Sequence, residues 1–349
     1  MAYRLNDKIR DLKPYDPITG YYPIRLDANE SFEPIPNRVA SKILEAAAFM
    51  PYNRYPDSQA FDLCKSFAAH YKVNAENITA GNGSDELISI ICNAFLMKGD
   101  VMMTLSPDFS MYKFYSTIVE AKLIEYQKNP DLTIDVDKLI MTANENNVKL
   151  IVFSNPCNPT SLGLKKAEVR RLISSVNALV ILDEAYMDFW NESLLDEVDG
   201  YDNLIILRTC SKAFAMAGIR LGFAAANLTL TNALKAVKSP YNVNTLTQKI
   251  GSIILNENEL IETMINEIVA SKESLYSEMK RIEGINAGKM LVYPSVTNFV
   301  FVKMEDAKEM YEVLLKAGIA VRFMGDFLRI TAGSNVENLE LVRAFESAI

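Results

Sequence analysis

Histidine is nearly absent from this 349-residue chain, with His70 the only one. That scarcity excludes every mechanism built on a histidine pair and every histidine-rich metal site, and no metal is expected. Cysteine is scarce too. Cys64, Cys92, Cys157 and Cys210 show no close spacing, which fits four reduced thiols in a cytoplasm. No run of basic residues occurs, and the net charge of -8 argues against a nucleic-acid-binding surface. The most apolar run, 87–97, is too short to cross a bilayer, so no membrane partner is expected. The N-terminal Met-Ala-Tyr-Arg-Leu-Asn-Asp-Lys has no apolar stretch after its charges, unlike a secretory signal. Internal repeats, low-complexity segments and long Gly/Ser linkers are absent as well.

What is present suits a large folded protein. Hydrophobic residues make up 49% of the chain, enough for a sizeable core. The length accommodates two ordinary domains, or one large α/β domain with a smaller one attached. Short β-rich runs at 101–105, 149–154, 178–182, 203–207 and 221–225 read as strands buried on both faces, as in a mostly parallel sheet sandwiched by helices. Helical character falls at 84–96 and 165–175, and again over 246–281, as one bent helix or two. Beyond Gly288 a strand at 297–303, a helix at 307–317 and a hairpin of 320–323 with 328–331 read as a separate, smaller α/β unit. The resulting division is an N-terminal segment 1–50 packing with the small unit and across an interface, a large domain 51–245, a connecting helical region 246–284 and a small domain 285–349.

The segment Arg208-Thr209-Cys210-Ser211-Lys212-Ala213-Phe214-Ala215-Met216-Ala217-Gly218-Ile219-Arg220 carries the most chemistry. One lysine follows two hydroxyl side chains, with an arginine eight residues later. The amine of Lys212 can form a covalent link to an aldehyde, while Thr209, Ser211 and Arg220 can donate to a dianionic phosphate. An aldehyde and a phosphate together describe pyridoxal 5'-phosphate (PLP). Taken alone, Lys212 reads as a solvated surface charge, as most lysines are.

Four further motifs bear on that choice. Gly81-Asn82-Gly83-Ser84-Asp85-Glu86 precedes an apolar helical run, and the free N–H groups of such a helix start make a phosphate cradle. The ordinary alternative is a well-capped helix. Phe109, in Pro107-Asp108-Phe109, offers an aromatic face. In Asn155-Pro156-Cys157-Asn158-Pro159-Thr160 two prolines stiffen a loop able to hold one amide toward a ligand. In Asp183-Glu184-Ala185-Tyr186 a carboxylate closes an apolar strand, where open α/β sheets bind ligands. PLP needs such an anion to keep its pyridine nitrogen protonated. Asp183 and Lys212 lie 29 residues apart, about one strand-helix-strand passage.

The five motifs stand in the order found in the fold-type I, PLP-dependent aminotransferases, whose lysine signature the segment 208–220 resembles, and G-N-G-S-D-E resembles the histidinol-phosphate aminotransferases in particular. The resemblance runs from Arg25-Leu26-Asp27-Ala28-Asn29-Glu30 to Leu328-Arg329-Ile330-Thr331. It implies that Lys212, Asp183 and Tyr186 are catalytic. It assigns Ser84, Asp85, Glu86, Thr209, Ser211 and Arg220 to the cofactor phosphate, Phe109 to stacking on the ring and Asn158 to the ring hydroxyl. Tyr186 is expected to reach the same oxygen. Tyr55, in Arg54-Tyr55-Pro56-Asp57, would serve the neighbouring subunit's phosphate, making the enzyme a homodimer. Tyr22, Asn29, Arg322 and Arg329 match substrate positions, the two arginines suiting a phosphate. Where the family has glycine this chain has Ser161, and Gly163 is expected to take over the turn. The implied reaction passes the amino group of histidinol phosphate to 2-oxoglutarate, giving imidazole acetol phosphate and glutamate in histidine biosynthesis. An aromatic or broad-specificity aminotransferase and a threonine-phosphate decarboxylase stay open beside it. A regulator that kept the fold would need a DNA-binding domain for which this chain leaves no room.

Overall fold

The computed structural model describes residues 3–14, 17–286 and 288–348. Met1 and Ala2, which open the N-terminal stretch considered above, lie outside them. The described strands are β1 (Ile24–Leu26), β2 (Ile78–Gly81), β3 (Val101–Ser106), β4 (Lys122–Gln127), β5 (Leu150–Ser154) and β6 (Leu179–Asp183), followed by β7 (Leu204–Thr209), β8 (Gly222–Ala226), β9 (Met290–Tyr293), β10 (Phe299–Met304), β11 (Ile319–Met324) and β12 (Phe327–Thr331). They form a seven-stranded sheet in the order β2-β8-β7-β6-β5-β3-β4 and a five-stranded sheet in the order β1-β11-β12-β10-β9.

In the larger sheet β4, β3, β5, β6 and β7 run parallel. Alternate residues enter two different cores: Met103, Leu105, Ile151 and Phe153 pack on one face, Met102, Leu150, Val152 and Ile181 on the other. Burial on both faces is why these strands are continuous apolar runs rather than alternating ones. One expectation changes direction. The run read at 221–225 is β8, and it lies antiparallel to both β7 and β2. A parallel return needs a long crossover, usually a helix, whereas only the short 3-10 turn Ala217–Ile219 lies between β7 and β8. Four strands were not legible: β1 has only three residues and β2 and β9 four each, and β4 is an edge strand with several exposed polar residues.

One face of the smaller sheet packs on helices. Leu26, Val300, Val302, Val321, Leu328 and Ile330 pack there against Leu275, Met279 and Ile282 of the helix Asn258–Ile285, with Met310, Leu314, Leu341 and Phe345 from two further helices. Strand alternation puts Arg25, Arg322, Arg329 and Thr331 on the opposite face. β1 joins this sheet parallel to β11, so the N-terminal segment packs on the small unit. The stretch 246–281 is two helices, Thr245–Leu255 and Asn258–Ile285. The second contributes Ile261 to the large core and Leu275 to the small one, so a single rigid element joins the two. A C-terminal helix, Asn335–Ala348, was not read from the sequence. Among the described residues no helix is long and apolar enough to cross a membrane.

Candidate active site

A cavity of about 420 Å³ opens where the carboxyl ends of β3, β5, β6 and β7 meet the polar face of the small sheet. β3 has β4 on one side and β5 on the other, and such a reversal of strand order opens a crevice at the carboxyl edge. Ser84, Asp85, Phe109, Asn158, Asp183, Tyr186, Thr209, Ser211, Lys212 and Arg220 line it from the large domain, and Asn29, Arg322 and Arg329 from the other side.

One end is a nest of donors. Thr209 Oγ1 donates to Ser211 Oγ at 2.9 Å, and Arg220 Nη1 donates to the same oxygen at 3.2 Å. Arg220 holds a left-handed backbone, φ 52, which turns the chain into β8. The helix Gly83–Phe95 begins beside it, and two glycines make the approach possible. A Cβ at Gly83 would lie 2.7 Å from Arg220 Nη2, and one at Gly222 would lie 2.3 Å from the Ser84 nitrogen. Helix-start N–H groups, two hydroxyls and a guanidinium packed this closely fit a dianionic phosphate. Burial raises the Asp85 carboxyl, and Tyr115 and Arg220 counter that rise.

Three predicted residues do not line the cavity. The Glu86 carboxylate accepts from the Asn82 amide nitrogen at 2.7 Å and from Asn242 Nδ2 at 2.9 Å, bracing the turn before the helix. Tyr55 is 81% exposed and stacks on Tyr241 with centroids 4.6 Å apart. Tyr22 is half-buried and packs beside Gly20.

The middle of the cavity holds Lys212, Asp183 and Tyr186. Lys212 is half-buried, its Nζ donating to the Ala28 carbonyl at 2.8 Å. Burial, reinforced by Arg329 and Arg220, pulls its pKa down to about 8. Asp183, at the end of β6, moves the other way, to about 6, because burial outweighs its hydrogen bonds. Tyr112 OH donates to Asp183 Oδ2 at 2.8 Å and the Ala185 amide to Oδ1 at 3.2 Å. Tyr112 is a wholly buried residue that sequence reading missed. Its signal was there, three positions after Phe109 on the helix Met111–Ile118, but as a core aromatic it carried no distinguishing mark. Tyr186 OH accepts from Asn29 Nδ2 at 2.8 Å.

Asn158 and Arg329 meet directly: Arg329 Nη1 donates to Asn158 Oδ1, and Nη2 to the Asp27 carbonyl, each at 2.6 Å. Arg322 stands opposite Arg329 in the antiparallel register of β11 and β12, so both side chains leave the same face. The hairpin closes tightly at Gly325, φ 69. Ser161 corrects a second expectation. It takes the left-handed turn itself, φ 61, and its hydroxyl donates to the Pro294 carbonyl at 2.8 Å. Gly163 serves packing instead, since a Cβ there would lie 2.4 Å from the Trp190 ring.

A lysine between a phosphate nest and a buried carboxylate, on this largely parallel sheet with a small α/β domain above it, is the fold-type I arrangement of PLP-dependent transferases. Residues 23–345 match the family described as aminotransferase class I and II, and the chain belongs to it. A histidinol-phosphate aminotransferase of Clostridium novyi is 41% identical over 343 residues, covering 97% of this chain and 95% of that protein. The crystal structure of histidinol-phosphate aminotransferase from Sinorhizobium meliloti in complex with pyridoxal-5'-phosphate superposes with a TM-score of 0.89 at 22% identity, over 99% of this chain and 97% of that one. An L-threonine-O-3-phosphate decarboxylase from Porphyromonas gingivalis superposes at 0.79, also at 22% identity, over 93% and 98%. Fold alone thus does not separate the two reactions. PLP is the cofactor of this chain, and the phosphate nest, the buried Asp183 and the amine of Lys212 fit its three functional groups.

Two outcomes follow. In cofactor-free protein, competitive labelling of Lys212 by an amine-reactive anhydride rises through a midpoint near pH 8, because burial favours the uncharged amine. A midpoint near the ordinary value of about 10.4 contradicts this environment. Tyr112→Phe removes a donor to a buried carboxylate, and its cofactor dissociation constant rises roughly tenfold or more. Titration of the cofactor into cofactor-free protein measures it; an unchanged constant means that Tyr112 only fills space.

Proposed function

We propose that this chain transfers the amino group of histidinol phosphate to 2-oxoglutarate. The observation that carries the substrate choice is the pair Arg322 and Arg329, directly opposite each other on β11 and β12 and both at the cavity. Two guanidinium forks offer enough donors for the oxygens of a phosphate monoester, more than one carboxylate can use. The name of the Clostridium novyi relative supports the same reading.

Each residue then has a task. Thr209, Ser211 and Arg220, with the helix start at Ser84 and Asp85, hold the cofactor's phosphate, and Glu86 stiffens the turn that aims those amides. Phe109 supports the ring face. Asp183, held by Tyr112, pairs with the pyridine nitrogen, while Asn158 and Tyr186 address the ring hydroxyl. The cofactor, when bound, supplies an electron sink for the bond that is to be broken at the substrate carbon. Lys212 Nζ takes the proton from the carbon bearing the amine, and a pKa near 8 lets the same nitrogen give a proton back. Asn29 orients Tyr186 through its amide. Arg329 and Arg322 grip the substrate's anionic end.

The same reading makes the enzyme a homodimer. Tyr55 stands outside its own cavity, and the nearby Leu44, Phe49, Tyr52 and Phe61 are exposed apolar side chains that a second copy would cover. Tyr55 then reaches the phosphate held by the partner.

Arg322→Ala lowers the specificity for histidinol phosphate by roughly ten- to a hundredfold, the cost of one charge-assisted contact, while phenylalanine loses much less. Steady-state kinetics on both amines decides it. Equal losses remove Arg322 from phosphate recognition, and carbon dioxide release from phosphothreonine without use of an oxo acid makes the chain a decarboxylase. Mixing inactive Lys212→Ala with an inactive Tyr55→Phe protein restores activity through hybrid dimers; a fully active monomer overturns the shared site.

A further inference from the structure

The polar face of the small sheet carries a third arginine at the cavity. Arg25 lies on β1, which pairs with β11 so that Arg25 stands opposite Ala320, and Arg322 is two residues further along the same strand. Side chains two apart share a face, so Arg25, Arg322 and Arg329 project from one face of three adjacent strands spaced roughly 4.8 Å apart, with Arg25 the diagonal neighbour of Arg322. All three line the cavity. They are graded in depth: Arg329 is buried, Arg322 half-buried, and the Arg25 side chain 43% exposed.

Arg25 is also held by a fork. Its Nε donates to Asp27 Oδ1 at 3.2 Å and its Nη2 to Asp27 Oδ2 at 2.9 Å, the two parallel bonds with which a guanidinium takes a carboxylate. Asp27 itself is 7% exposed and also lines the cavity. Its main-chain carbonyl accepts from Arg329, so one residue touches both the outermost and the innermost of the three arginines.

We propose that Arg25 determines specificity for the second substrate by reading the distal carboxylate of a dicarboxylic oxo acid, with Asp27 as the internal carboxylate that occupies it otherwise. This rests on the transamination reading above. The two half-reactions bring differently shaped anions to one cavity. A phosphate monoester concentrates its charge at one end, which the opposed pair Arg322 and Arg329 satisfies. A dicarboxylic oxo acid carries charge at both ends of a short chain and needs a second cation one or two strands away, where Arg25 stands. Exchanging the Asp27 carboxylate for the substrate's replaces one fork by another. Asp27 keeps Arg25 neutralised while the phosphorylated amine is bound.

The test uses the dimeric holoenzyme and measures the two half-reactions separately from the cofactor's absorbance, together with dead-end binding of glutarate and of inorganic phosphate. Arg25→Gln raises the KM for 2-oxoglutarate and the glutarate dissociation constant by about five- to tenfold, a modest change because the arginine is partly exposed. The amine half-reaction and phosphate binding lose at least threefold less, on the order of a surface charge effect. Arg25→Lys recovers only part of the loss, since lysine keeps the charge without the fork. Asp27→Asn frees Arg25 and tightens glutarate, which holds the inference open to test even if the Arg25 variants fold poorly. Equal losses for glutarate and phosphate, or an Asp27→Asn protein that binds glutarate no better, overturn it. The parent reading fails differently, through an enzyme that accepts the amine but is regenerated by no oxo acid.

Discussion

Arg329 is the joint on which the site depends. It projects from the small sheet, yet its two terminal nitrogens bind the Asn158 amide of the large domain and the Asp27 carbonyl of the N-terminal segment. Three stretches of chain that are remote in sequence therefore converge on one guanidinium. A planar, always charged group with fixed donor directions can hold such a junction, where a lysine could not fix the angle between partners. Ser161 also donates to the Pro294 carbonyl and accepts from the Val296 amide, so the loop after β5 is tied to the turn between β9 and β10 at two points. The side chain expected to meet substrate is thus already engaged with the side chain expected to meet cofactor.

Around that joint, burial does opposite things to two neighbours. It draws the Lys212 amine toward the uncharged state near neutral pH and pushes the Asp183 carboxyl upward. The lowered amine and the raised carboxyl come from the same dry surroundings, and they suit the proposed base and the proposed partner of a cation. Tyr112 is what keeps the second from being a liability, because its hydroxyl donates to the carboxylate rather than competing with it.

Much of this was legible in the sequence for a physical reason. Lys212, Asp183, Asn158, Arg220 and Ser84 sit in contiguous strings at strand ends and helix starts, and the backbone alone brings such positions to one edge. Strands buried on both faces announced themselves as apolar runs. What escaped lacked a local signature. Tyr112 is defined only by what it touches across the fold. β4, an edge strand, has no continuous apolar run. The direction of β8 depends on how little chain separates it from β7, and the role of Ser161 on a carbonyl 133 residues away. The placement of Arg322 became plain only from strand register, since neither its neighbours nor its spacing show which side chain it faces.

The reversed strand β8 has a consequence for how the site is assembled. Because the chain turns straight back after β7, the hydroxyls of Thr209 and Ser211 and the guanidinium of Arg220 belong to one short excursion that opens and closes on adjacent strands. Closing so small a loop costs little chain entropy compared with gathering the same groups from distant elements. Half of the phosphate nest is therefore a local unit, completed when the helix that begins at Gly83 docks against Gly222. In the proposed reading a phosphate bound there would fasten the two pieces together, so the anion would act as a mortar for the large domain as well as a handle for the cofactor.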